Sequence, residues 1–93
     1  MIRGYDVSFA KKYGLESAII FNDLQCKQSY VFEENFSDGR YWIMFNQYDY
    51  EELSPVLIKG AMKTLEENGF IVVRKGSISG HEVPYVSVVD QHW

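Results

Sequence analysis

The chain has one cysteine, Cys26, in 93 residues. A lone thiol cannot close an internal disulfide, so the fold must be held by its core, as suits a reducing compartment. Cys26 lies in an apolar stretch and reads as a buried structural thiol. Histidine is also scarce: His81 and His92 stand far apart, with no His-x-x-x-His pair and no serine–histidine–aspartate setting. Metal ligation and triad hydrolysis both need such clusters. Long apolar runs are missing too. Nothing approaches the roughly 18–20 residues of a membrane span, and the opening MIRGYDVSF lacks the apolar run of a secretory signal. A soluble cytoplasmic protein with no membrane contact is expected. With no repeats, low-complexity tracts or linkers, 1–93 should be one domain.

Positive charge is the remaining deficit. Nine Lys and Arg face thirteen Asp and Glu, giving a net charge of -4 and a pI near 5.0. Non-specific affinity for nucleic acid comes mainly from phosphate neutralisation, so this balance argues against strong sequence-blind DNA binding while leaving room for a local basic face. Other chemistries find little support. The turn Gly76-Ser77-Ile78-Ser79-Gly80 lacks the strand–loop–helix setting and the lysine of a phosphate loop, and reads as a hairpin turn. Asp49, Glu51 and Glu52 lack calcium-loop spacing and read as a solvated acidic face. No enzyme activity, cofactor or metal site is expected.

What is present is a substantial core. Hydrophobic residues make up 46% and aromatic residues 16% of the chain, enough to bury a real interior and to exclude disorder. The spacing predicts a short helix over Ser8 to Tyr13, capped by Asp6 or Ser8 and stopped by Gly14. A longer helix should run from Leu15 to about Phe32. Leu15, Ala18, Ile19, Cys26 and Tyr30 recur at helical spacing, and Ile20, Phe21 and Leu24 widen the face, as in a central helix covered on several sides. Glu33 to Gly39 is turn-rich, and Arg40 to Phe45 reads as one strand. Asn46 should cap a short helix over Gln47 to Leu53. Ser54-Pro55 then starts another, with Ser as N-cap and Pro in the first turn. Ile58, Ala61, Met62 and Leu65 form its buried stripe, and Asn68-Gly69 ends it. Phe70 to Lys75 and His81 to Val89 are strands of a hairpin, with Pro84 marking the second as an edge strand or a bulge. Tyr85, Val86, Val88 and Val89 do not alternate, which implies burial on both faces or an edge at an interface.

Four segments in this order resemble the N-terminal winged-helix domain of phage and mobile-element replication proteins of the DnaD-like replisome organiser and initiator type. They are Tyr5 to Ile20 (YDVSFAKKYGLESAII), Asp38 to Trp42 (DGRYW), Asn46, and Ile58 to Ile71 (IKGAMKTLEENGFI). The likeness spans about residues 5 to 73. It implies an α+β winged helix-turn-helix with three to four helices, a small antiparallel sheet and a C-terminal β-hairpin wing. It also implies binding of double-stranded DNA in replication or regulation, with the 54–68 helix in the groove and the wing on the backbone. Carried over by position, the DNA-contacting residues are Lys59, Lys63, Arg74 and Lys75, with Arg40 beside them. Two departures stand out. The segment from Asn46 to Ser54 is several residues shorter than the family's, so the first helix of the helix-turn-helix must be clipped. Moreover, the helical wheel turns Val56, Leu57 and Gly60 outward, where polar base readers are the rule, unless Val56 and Leu57 pack under Tyr48 or Tyr50.

These departures support a second reading. An acidic winged-helix fold that does not bind DNA could occupy the basic groove of a host nucleic-acid enzyme, as anti-CRISPR-like inhibitors do. Its contact residues would be Val56, Leu57, Asp49, Glu51, Glu52, Glu66 and Glu67, with Glu82 adding acid near the wing. A homodimer through Phe9, Tyr13 and the tail ending in Trp93 is a further expectation. The opening Met and the closing strand suggest a whole protein, which would lack the C-terminal domain that recruits helicase machinery in the replication family.

Overall fold

A computed structural model describes residues 4–30 and 36–89. It is an α+β structure with three α-helices and two small antiparallel sheets. Asp6 caps α1 (Val7–Tyr13), its carboxylate accepting from the Phe9 N–H at 2.9 Å. Helix α2 (Leu15–Gln28) follows directly. It packs against α1, α3 and strand β5, which explains why its apolar residues are not confined to one stripe. Its core face is Ser17, Ala18, Ile20, Phe21 and Leu24. The expected extension to Phe32 is not made. The helix stops at Gln28, where the Ser29 hydroxyl bonds back to the Cys26 carbonyl at 2.6 Å. Tyr30 therefore falls outside the helix and is exposed, as is Leu15. Cys26 is exposed rather than buried: two residues beyond Leu24 is about 200° around the helix.

The aromatic run at 40–45 is not one strand. Strands β1 (Phe36–Ser37) and β2 (Arg40–Tyr41) form a tight hairpin, and β3 (Ile43–Met44) joins a different sheet. The chain changes partner at Trp42, since Tyr41 opposes Phe36 and Ile43 opposes Val86. Asn46 caps as expected, accepting from the Tyr48 N–H at 3.0 Å, but the helix that follows is only a 3₁₀ turn, Gln47–Tyr50. Helix α3 (Pro55–Glu67) matches its prediction: Ser54 accepts from the Leu57 N–H at 3.3 Å, Ile58, Ala61 and Leu65 are buried, and Met62 lies beside them.

Strands β4 (Ile71–Ile78) and β5 (His81–Val88) form the long hairpin. The ladder continues through the expected five-residue turn, so only Ser79 and Gly80 link the strands, with φ of 52° and 79°. Positive φ at both linker residues is the turn whose twist matches a hairpin, and it lets the strands pair to their ends. Pro84 is also placed differently from expectation. The order β3-β5-β4 puts its strand in the centre. Its carbonyl accepts from the Phe45 N–H at 2.9 Å, so its missing N–H faces the side where the two-residue β3 has already ended.

The core is one cluster of Ile20, Phe21, Leu24, Tyr50, Ile58, Ala61, Leu65, Ile71, Val86 and Val88. The other face of the hairpin is covered as well. Ser87 is buried, Trp42 shields that side, and the Tyr85 ring lies over Gly76, where an added Cβ would collide with it. Burial on both faces accounts for the broken alternation. Phe9 stacks on Phe21 at 5.0 Å between centroids and meets Phe70 and Tyr13, so Phe9 and Tyr13 are half-buried in an aromatic cluster that packs α1 against α2. Trp93, His92 and residues 33–35 of the predicted turn lie outside the described residues. Truncating Leu65, which has no exposed surface, to Ala should cost about 2–5 kcal/mol in urea denaturation. Gly76→Ala should cost about 1–3 kcal/mol through displacement of the Tyr85 ring.

Candidate interaction face around helix α3

Four of the sequence-predicted DNA contacts lie on α3 and the hairpin, but most are already engaged. Lys59 and Lys63 both point to solvent, one helical turn apart. Lys63 sits 3.8 Å from Glu67, a long and exposed pair worth little. Lys59 has no ion-pair partner among the described residues. Arg74 is held firmly. It bonds Asp38 at 2.8 Å, and its guanidinium lies 4.1 Å from the centroid of the Trp42 ring. Trp42 in turn donates its indole N–H to the Ser37 carbonyl at 2.9 Å. The Arg74 side chain thus fastens the β1–β2 hairpin onto β4, and a phosphate would have to displace a stacked, paired group. Lys75 pairs with Glu82 across the hairpin at 3.0 Å. Arg40 is not brought to the others. It lines a separate cavity of about 540 Å³ with Gln25, Gln28 and Tyr41.

The acids of the second reading are likewise divided. Asp49 belongs to a network that fixes the 3₁₀ turn to α2: Lys27 contacts Asp49 at 2.7 Å and Asp23 at 2.9 Å, and the Tyr50 hydroxyl donates to Asp23 at 2.6 Å. Burial works against the Lys27 charge, but the Asp49 and Asp23 carboxylates outweigh it and raise its pKa above 10.5. Glu51 and Glu52 are exposed ahead of α3, whereas Glu66 and Glu67 are exposed at its far end, 13 helical residues away or about 20 Å.

The first turn of α3 presents apolar side chains to solvent, ahead of Lys59 and Lys63. Val56 is 79% exposed and Tyr48 75%, so Val56 is not covered by Tyr48, and Leu57 is 44% exposed. Around the helix from them a groove of about 760 Å³ opens between α3 and the core-facing side of the hairpin. Phe45, Ile58, Met62, Val73 and Pro84 form its floor, Tyr48 closes one end, and Lys59, Lys63 and Glu66 stand on its rim. Sequence reading placed the outward residues of α3 correctly but missed this groove. Its floor is assembled from strand ends whose shared face depends on the β3-β5-β4 order.

Among the described residues no group of three His, Cys, Asp or Glu could hold a metal ion, and no helix is long and apolar enough to cross a membrane. No family model, curated protein or solved structure matches the chain.

The raised pKa of Lys27 gives this network a definite pH dependence. Its contribution is complete below the unfolded value of 10.5 and is lost as pH rises through the higher folded value. The denaturation midpoint should therefore fall as pH climbs above about 10.5, and Lys27→Met should flatten that fall. Arg74→Lys keeps the charge but loses the planar stack on Trp42, and should cost about 0.5–1 kcal/mol in the same assay.

Proposed function

We propose that this chain is a small winged-helix module that docks on a protein partner through α3 and the groove beside it, and does not read DNA. The winged-helix part of the proposal draws on the order of elements. A strand precedes α3, a long hairpin follows it, and the return strand of the hairpin lies between the other two. The single observation that carries the protein-binding part is the exposed apolar surface of α3. Val56 and Leu57 stand in solvent where a DNA-reading helix presents hydrogen-bonding side chains to base edges. Exposed apolar side chains next to an apolar groove are the usual mark of a protein contact. Inhibition of a host nucleic-acid enzyme is one role open to such a module. In this proposal it rests on the apolar residues of α3, because the acids at its two ends form no single face.

Duplex DNA is the second reading, favoured by Lys59 and Lys63 on one side of α3 at the mouth of the groove. The two readings separate in a gel-shift assay with a mixed-sequence duplex at about 20 mM salt and protein up to about 10 µM, conditions that favour phosphate contacts. No retention is expected. Retention that the double variant Lys59→Glu, Lys63→Glu abolishes would overturn the protein-docking reading and establish α3 as a DNA-binding helix.

A further inference from the structure

The groove beside α3 also constrains the chemistry of its occupant. Among its lining residues the charged side chains are Lys59, Lys63 and Glu66, an excess of positive charge in a chain whose net charge is -4. Lys59 has no carboxylate within ion-pair distance among the described residues, and Lys63 has only the long contact to Glu67 at 3.8 Å. The floor below them is Phe45, Ile58, Met62, Val73 and Pro84. This pairing selects among anionic ligands. Polar groups at the groove are confined to the rim and to the Asn46, Gln47 and Tyr48 segment, so a nucleic-acid backbone along the rim would lay hydrated phosphates over the apolar floor at a desolvation cost. A peptide can instead place carboxylates on the lysines and apolar side chains on the floor.

Size narrows the occupant further. A volume of about 760 Å³ lies within the range of pockets that bury small ligands, and suits two or three large side chains. It takes the side chains along one face of a segment and does not enclose a whole helix about 10–12 Å across. Lys59 and Lys63 are separated by about 6 Å along the helix axis, close to the spacing of alternate residues on an extended strand.

We infer that the groove between α3 and the hairpin binds a short acidic–apolar segment of another protein, with carboxylates on Lys59 and Lys63 and two or three large apolar side chains against Met62, Val73 and Phe45. This rests on the protein-docking reading and adds the chemical class of the partner.

The test is selection of a displayed library of random peptides about twelve residues long against the folded chain, with the enriched peptides then synthesised. Binding is measured by fluorescence anisotropy, and the site is located by NMR shifts of Met62 and Val73. Enriched peptides should be net negative, carry at least two large apolar residues, and shift both reporters. The double variant Lys59→Glu, Lys63→Glu should weaken them about tenfold or more, with only a small drop in thermal unfolding from the added like charges on an exposed helix face. A second double variant, Lys59→Gln and Lys63→Gln, should weaken them less and guards against misfolding of the first. Failure of any peptide to enrich, neutral or basic consensus sequences, indifference to the lysine variants, or shifts confined to other residues would each overturn the inference. So would concentration-dependent self-association that moves Met62 and Val73 without peptide, because a second copy would then cover the groove. Duplex retention in the gel-shift assay would remove the docking reading as well, whereas peptide failure with the duplex still unbound would remove only this inference.

Discussion

The burial of Tyr50 sets the position of everything that faces outward. Only 1% of its surface is exposed, and its hydroxyl is satisfied by Asp23 on α2. A buried aromatic whose polar end has a partner fixes both place and orientation. The link from Asn46 to Ser54 is short, so the ring that anchors the 3₁₀ turn also decides where Ser54 can cap α3. Lys27 strengthens the anchor from above, with its ammonium 5.3 Å from the centroid of the Tyr50 ring and paired to Asp23 and Asp49. The outward angle of Val56, Leu57 and Lys59 follows from that attachment together with the burial of Ile58, Ala61 and Leu65.

Local chemistry was legible in the sequence where one residue acts on its immediate neighbours. The Asn46 and Ser54 caps, the Ile58, Ala61, Leu65 stripe and the Asn68-Gly69 stop all needed only short-range rules. Errors came where a distant partner decides the outcome. The strand at 40–45 divides at Trp42 because Tyr41 pairs backward and Ile43 pairs with Val86, some forty residues later. Pro84 sits in a central strand because the neighbour that would have missed its N–H is only two residues long. Cys26 lies within α2 but on the side turned away from Leu24, so membership of an apolar stretch did not decide its burial.

Of the candidate site, the exposure of α3 was legible and the state of its cations was not. Charge counts alone cannot distinguish a lysine in solvent from an arginine fastened between Trp42 and Asp38, because those partners come from a separate hairpin. Pairing changes what a basic residue can do: a cation already matched must give up one anion before it takes another. Weight shifts from the β4–β5 hairpin to α3, whose first turn already has apolar side chains uncovered.

Gln28 is a small feature with a wide reach. Past Val86, among the described residues, no strand lies beside β5 on the β3 side, and the Gln28 amide takes that place. It accepts from the Val88 N–H at 2.7 Å and donates to the Val88 carbonyl at 3.1 Å. One side chain thus stands in for a missing strand and joins positions sixty residues apart. Contacts of such long sequence separation form late and slowly. The end of the last strand therefore gains protection from solvent exchange only when α2 is docked, and the two should open as one cooperative unit.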